Sequence, residues 1–236
     1  MKIKSIIFDC DGVLVDTERD GHRVAFNAAF RQKGLDIEWG IDTYGELLKI
    51  GGGKERMRSF FAKMGYPEEI KDSERFIKEL HEIKTALFMD IIRQGKLPLR
   101  TGVSRLIDEA IDHNVVVAVC STSNEKAVNN IVDVMLGEKR KKKIHIFAGD
   151  MATHKKPDPE IYNLAIIKLN LKPSTCIVVE DSRNGLLAAK ASGLKCIITR
   201  SHYTAKEDFK EADAVYNELG EDPEENITLE KLNAFI

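Results

Sequence analysis

No sign of charge dominates this chain: 36 lysines and arginines face 38 aspartates and glutamates across 236 residues, a formal net charge of -2. Without a global field, nothing draws the protein to nucleic acid or to an anionic membrane surface. Cysteine is scarce as well. Cys10, Cys120, Cys176 and Cys196 show no C-x-x-C spacing, and each lies in or beside an apolar run. That argues against a zinc ribbon or a disulfide framework and for buried thiols in a reducing compartment. No apolar stretch approaches the roughly 20 residues of a membrane span, so no membrane partner is expected. Internal repeats and low-complexity tracts are absent. Met1-Lys2-Ile3-Lys4 leads straight into an apolar run, so no signal or transit peptide is expected, although a processed presequence would leave no trace. The one charge run, Glu138 to Lys143 (EKRKKK), reads as a solvated loop between a helix and a strand.

What is present is an alternation. Short apolar runs at Ile3 to Phe8, Val115 to Cys120, Ile144 to Phe147, Cys176 to Val179 and Cys196 to Ile198, with a weaker one at Ala214-Val215, are continuous rather than alternating. That suits parallel strands covered on both faces. Between them, Val103, Leu106, Ile107, Ala110, Ile111 and Ala127, Val128, Ile131, Val132, Met135 keep helical faces. The pattern predicts a doubly wound α/β domain with a parallel sheet. From about Thr17 to Gln94 the alternation stops. Phe76, Leu80, Ile83, Leu87, Ile91 trace a long helix, Met57, Phe60, Phe61, Met64 a shorter one, and Gly51-Gly52-Gly53 marks a joint. A helical insertion after the first strand, spanning 17–97 within a core of 1–16 and 98–236, is expected. Ligands of open α/β sheets sit outside the carboxyl ends of the strands, so such an insertion is expected to cap the site.

The strand tips carry the chemistry. Asp9-Cys10-Asp11-Gly12 places two carboxylates two residues apart at the end of a buried strand, able to aim at one reacting atom. Alone, the stretch is also an ordinary strand-to-turn exit. Ser121-Thr122-Ser123-Asn124 opens a helix, where hydroxyls and free N–H groups suit a phosphate oxygen or simply cap the helix. Lys155-Lys156-Pro157-Asp158-Pro159 supplies a cation, and Glu180-Asp181-Ser182 a second acidic pair of the kind that holds magnesium. Four strand ends each offering a group that phosphoryl transfer requires make the bland readings improbable together.

These motifs, DCDGVLVD at Asp9 to Asp16, Ser121, Lys156 in KKPDP and Glu180-Asp181 in VVEDS, resemble those of the haloacid dehalogenase-superfamily phosphohydrolases over the whole chain. DTERDGH, GGGKERM, LHEIKT, LPLR and STSNE are similar to the CbbY-like branch, which contains Calvin-cycle-linked phosphatases acting on xylulose-1,5-bisphosphate. Thr153-His154 before Lys155 departs from the expected lead-in. The resemblance implies a Rossmann-like core with a small all-helical cap. It also implies a phosphatase reaction through an aspartyl-phosphate, with Asp9 as nucleophile and Asp11 as acid/base. Ser121, Thr122 and Lys156 are then expected to bind phosphate. Mg2+ is expected on Asp9, Asp11 (through its main-chain carbonyl), Glu180 and Asp181. Cap and hinge residues Glu18, His22, Lys54, Arg56, Lys84 and Arg100 are expected to recognise a phosphorylated sugar. A monomer in the cytoplasm is expected, or in the plastid stroma if a transit peptide has been removed. The nearest rival is a β-phosphoglucomutase-like isomerase; a non-catalytic phospho-aspartate signalling module is more remote.

Overall fold

A computed structural model describes residues 2–50, 52–222 and 226–236. Among these, six strands form one parallel sheet: β1 (Ser5–Phe8), β2 (Val116–Ser121), β3 (Ile144–Ala148), β4 (Cys176–Glu180), β5 (Lys195–Thr199) and β6 (Ala214–Tyr216). Their spatial order is β3-β2-β1-β4-β5-β6, the doubly wound arrangement in which the chain moves outward one way and then the other. β1 lies between β2 and β4, with Phe8 opposite both Val119 and Val179. The crevice of such a sheet opens at the carboxyl ends of these central strands, where Asp9, Ser121 and Glu180 stand.

Helices follow in chain order as α1 (Arg23–Gln32), α2 (Ile41–Leu48), α3 (Gly53–Met64), α4 (Ser73–Arg93), α5 (Val103–Asp112), α6 (Glu125–Ile131), α7 (Gly137–Lys141), α8 (Glu160–Lys168), α9 (Arg183–Ala191) and α10 (Leu229–Asn233). The strands are apolar on both sides because helices cover both: Ile6, Ile7, Val117, Ala118, Val119, Ile177 and Val178 are fully or almost fully buried. Caps start the helices where short polar residues precede them. Asn124 accepts from Ala127 N, Ser182 from Gly185 N and Thr228 from Lys231 N.

The chain divides into two compact units, Met1–Thr17 with Gly95–Ile236, and Glu18–Gln94. The second unit contains α1 to α4 around an aromatic core in which Trp39 lies 4.7 Å from Phe26 and 4.9 Å from Phe30, centroid to centroid. Asn27 holds the loop that carries this tryptophan, donating to Trp39 O at 3.0 Å and accepting from Trp39 N at 2.8 Å. Gly51 of the expected glycine joint lies outside the described residues; Gly52 takes φ +92° and leads into α3.

One expectation is corrected. The basic run is not all loop: Gly137–Lys141 is helical, and only Lys142 and Lys143 lie in the turn before β3. Lys142 pairs with Glu138 at 2.8 Å one turn away, Arg140 with Asp108 at 2.7 Å and Lys141 with Asp133 at 3.0 Å. Buried Leu136 anchors its start. Opposite charges one turn apart let a helix form without an apolar stripe of its own.

Candidate active site

The tips of β1, β2 and β4, with the loop before α8, bring together Asp9, Asp11, Ser121, Lys156, Glu180 and Asp181. The Lys156 ammonium uses its donors on three of these elements: Asp9 Oδ1 at 2.6 Å, Glu180 Oε1 at 2.6 Å and the Cys120 carbonyl at 2.9 Å. Burial alone would strip its proton, but Asp9 and Glu180 more than reverse this and raise its pKa. Glu180, wholly buried, also accepts from Tyr162 Oη at 2.6 Å, Asp181 N at 3.2 Å and Ser182 Oγ at 3.4 Å. Its carboxylate fills the space where a Cβ on Gly185 would stand 1.9 Å away, so α9 can pass here only with glycine at that position.

Ligand oxygens of Asp9, Glu180 and Asp181 lie within 4.8 Å of one another, all three residues buried. The Asp9 carboxyl is raised to about 7: burial raises it most, Lys156 pulls it down, and Glu180 and Asp11 push it up. Asp181 is held well above the usual carboxylate range by burial, then by Glu180 and Asp9, with the Ser201 hydroxyl and the Arg100 charge acting in the other direction. Three buried carboxyls around one ammonium are more acids than that charge can offset, so burial favours protons on them that a divalent cation on these hard oxygens would replace. That donor set fits a divalent cation such as Mg2+.

Asp11 has a different environment. Its Oδ1 accepts from Thr17 Oγ1 at 2.6 Å, and its Oδ2 from Ser123 and Ser121 hydroxyls. Of the four residues expected at the metal, three gather; the Asp11 carboxylate turns away to these hydroxyls, leaving its main-chain carbonyl as the group it could offer. Ser121 is the last residue of β2, and its Oγ accepts from Ser123 N at 3.1 Å. Thr122 contributes its carbonyl to Lys155 Nζ at 3.1 Å.

The second unit holds its own polar cluster. Lys84, 7% exposed, donates to His22 Nδ1 at 3.0 Å and lies over the rings of Phe26 and Phe88 at 4.8 and 5.4 Å. Burial lowers its pKa to about 8, with Glu18 opposing and Arg56 adding to the fall. Burial, then the charges of Lys84, Arg56 and His81, hold His22 well below its ordinary value. Neutral His22 therefore accepts the Lys84 proton on Nδ1. Tyr44 Oη donates to Glu18 at 2.5 Å and accepts from Arg56 at 3.1 Å, with Arg56 and Glu18 paired at 3.7 Å. Lys54 lies half-buried on α3, its charge felt by His81.

A sequence profile of the family described as haloacid dehalogenase-like hydrolase matches residues 3–193. The chain belongs to that family. It is therefore an enzyme, a phosphatase by its family and by relatives named as phosphatases in Bacillus subtilis and Thermotoga maritima. It is 57% identical to a "CBBY-like protein" of Arabidopsis thaliana over 95% of this chain and 72% of the relative. Against "Protein CbbY" of Rhodobacter capsulatus it is 38% identical, over 90% and 92% of the two chains. Crystal structures of CbbY from Rhodobacter sphaeroides, one with phosphate and one of a mutant with xylulose-(1,5)bisphosphate, superpose with TM-scores of 0.74 at 37% and 36% identity. Each covers 92% of this chain and 94% of that one.

In this CbbY-like hydrolase one expected substrate residue is reassigned. The Arg100 guanidinium donates to the carbonyls of Gly12, Thr199 (3.0 Å), Arg200 (2.6 Å) and Asn217 (2.8 Å). Donors spent on backbone carbonyls do not reach out to a second phosphate. Sequence reasoning also passed over several groups. Tyr162 reads as one more apolar helix residue, Thr17 as the start of the insertion, and Ser123 as a cap, although Asn124 fills that place. Only the run of three hydroxyls in Ser121-Thr122-Ser123 hinted at the last of these.

Proposed function

We propose that this enzyme is a Mg2+-dependent phosphatase that hydrolyses a small sugar bisphosphate, xylulose-1,5-bisphosphate, through an aspartyl-phosphate on Asp9. The observation that carries the reading is the buried Asp9–Lys156–Glu180 bridge beside Asp181, at the carboxyl ends of central strands. The similarity to a CbbY crystallised with that bisphosphate supports the substrate.

In this reading the Asp9 carboxylate attacks phosphorus, held in line by Lys156 on Oδ1. Its bond to phosphorus forms as the bond to the sugar oxygen breaks, and Asp11 gives that oxygen a proton. Asp11 then takes a proton from water, whose oxygen attacks phosphorus and releases inorganic phosphate and free Asp9. Splitting one displacement into two is what a carboxylate nucleophile contributes. Asp9, Asp181 and the Asp11 carbonyl, with Glu180 beside them, would hold Mg2+; when bound, the cation would offset the repulsion between a carboxylate and a phosphate dianion. Ser121, Thr122 and Lys156 would bind the transferring phosphate. Phosphate-monoester hydrolysis requires up to ~10²¹-fold acceleration, which is in proportion to this density of charge.

We assign the helical unit the role of a cap. Its buried Lys84 and half-buried His22, Arg56 and Glu18, with Lys54, would read the sugar and its second phosphate. The proposed compartment is the cytoplasm, or the plastid stroma if a transit peptide has been removed, an alternative that the similarity to a plant protein supports. A phosphate-release screen over sugar mono- and bisphosphates, with and without Mg2+, tests the whole reading. Release from the bisphosphate only with Mg2+ is expected. Conversion of a sugar phosphate to its isomer without phosphate release would instead make the enzyme a mutase.

A further inference from the structure

Four backbone carbonyls converge on one side chain. Gly12 lies in the turn after β1, Thr199 ends β5, Arg200 follows it and Asn217 follows β6; all accept from the Arg100 guanidinium. The backbone at Arg100 is fixed to that turn as well, since Arg100 N donates to Leu14 O at 2.8 Å and Val15 bridges Leu99. The planar fork of a guanidinium can satisfy several acceptors in one plane, which a lysine cannot do.

What these carbonyls belong to gives the arrangement its meaning. Gly12 adopts φ +81°, and a Cβ there would stand 2.0 Å from Asp181 Oδ2, so the turn rests directly against that carboxylate. On the other side, Thr204 Oγ1 donates to Asp181 Oδ2 at 3.5 Å and accepts from Ser201 N at 3.1 Å. The Ser201 and Thr204 hydroxyls lie 2.9 Å apart. Asp181 is therefore held between two loops, and Arg100 binds the backbone of both.

We propose that Arg100 is a positioning residue that locks the Gly12 turn to the Ser201–Thr204 turn around Asp181 and thereby sets the affinity of the acidic cluster for Mg2+. This rests on the cation-dependent reading above and adds residues to it. Partners in the tier behind a metal ligand typically change metal affinity by about 10- to 100-fold when removed. Loss of Arg100 would leave four acceptors to find water and would free Asp181 to move.

Calorimetric titration of Mg2+ into the full chain tests this. Arg100→Lys is expected to raise the Kd for Mg2+ roughly tenfold or more. The matched control is Arg105→Lys, because Arg105 also donates to carbonyls, those of Leu219, Gly220 and Ile227. It should lower the melting temperature while leaving the Kd within about twofold, being outside the tier around Asp181. Ser201→Ala and Thr204→Val, small changes that keep the fold, should each raise the Kd severalfold and carry the test if the Arg100 variant does not fold. Wild-type affinity in Arg100→Lys, or an equal loss in Arg105→Lys, would overturn the inference; unchanged affinity in both hydroxyl variants would do so too. If the wild type releases phosphate and binds Mg2+ while Arg100→Lys matches it, only this inference fails. A wild type that binds no Mg2+ ends the cation-dependent reading along with it.

Discussion

Lys84 offers a quantitative test of whether the helical unit keeps a charge at the expense of its own stability. The residue is 7% exposed, and its pKa falls from 10.5 to about 8, chiefly through burial. At about 1.4 kcal/mol per decade, that fall corresponds to about 3 kcal/mol of disfavour for the folded ammonium form. Below pH 8 folded and unfolded chains both carry the proton, and the full cost is present. Between pH 8 and 10.5 the unfolded chain holds a proton that the folded chain has released, so wild-type stability gains from this group as pH rises. Lys84→Met keeps the length and apolar stem against Phe26 and Phe88 but removes the titration. It also leaves His22 Nδ1 without its donor, a loss of about 1–2 kcal/mol. The net at pH 7 is a gain of about 1–2 kcal/mol, roughly 3–6 °C in melting temperature for a chain this size. At pH 10 the ammonium cost is mostly gone from the wild type, and the variant should be the less stable of the two. Thermal denaturation of both proteins at pH 7, 8.5 and 10 reads the crossover directly, since other titrations are common to both. A difference that stays constant across that range would refute the reasoning, and a variant less stable at pH 7 would show Lys84 to be a structural cation. The more stable variant should nevertheless hydrolyse the bisphosphate poorly.

Asp9→Asn should abolish phosphate release with an unchanged circular dichroism spectrum; turnover by that variant would remove Asp9 as nucleophile. Gly185→Ala drives a methyl into the Glu180 carboxylate, which it would meet at 1.9 Å. It should cost about 1–3 kcal/mol of stability and at least about tenfold in kcat, measured by denaturation and initial rates. Arg56→Ala should raise KM for a bisphosphate more than for the corresponding monophosphate, and equal effects would count against a second-phosphate role. Chelation should lower the melting temperature and stop phosphate release, both restored by Mg2+, because in the proposed reading the cation would join Lys156 in offsetting three buried carboxylates.

Much of the fold is legible because parallel strands buried on both faces appear as uninterrupted apolar runs. Ile6-Ile7-Phe8 and Ile177-Val178-Val179 are such runs, and both are central strands. The ends are less legible, since ladder pairing continues past the last apolar residue: Ser121 still pairs with Ala148 and Glu180 with Ile198. Those polar terminal residues are also the ones that face the site, so the pattern fades where the chemistry begins. Arg100 shows a different limit. Its sequence neighbourhood offers a cation after a loop, but its acceptors come from residues 12, 199, 200 and 217, which only the folded sheet brings together. Tyr162 is similar; nothing in an apolar helix face says that its hydroxyl reaches Glu180.

Asp9 and Asp11 are two residues apart on one turn, and their partners explain how they could do different work. Asp9 is held by an ammonium, which can only donate and therefore favours the ionised carboxylate that a nucleophile must be. Asp11 is held by the hydroxyls of Thr17, Ser121 and Ser123. A hydroxyl can donate to a carboxylate and, after rotation, accept from a carboxylic acid. Such a cradle tolerates both protonation states at nearly the same position, as a group that gives a proton and then takes one requires. Exchanging the two sets of partners would fail on both counts. An ammonium at Asp11 would penalise its acid form by the strength of a charged hydrogen bond, about 1.5–3 kcal/mol or one to two decades in rate. Hydroxyls alone at Asp9 would remove the Lys156 charge that lowers its pKa, so a carboxyl held at about 7 even with that ammonium would rise further and fall short of the charge that nucleophilic attack needs.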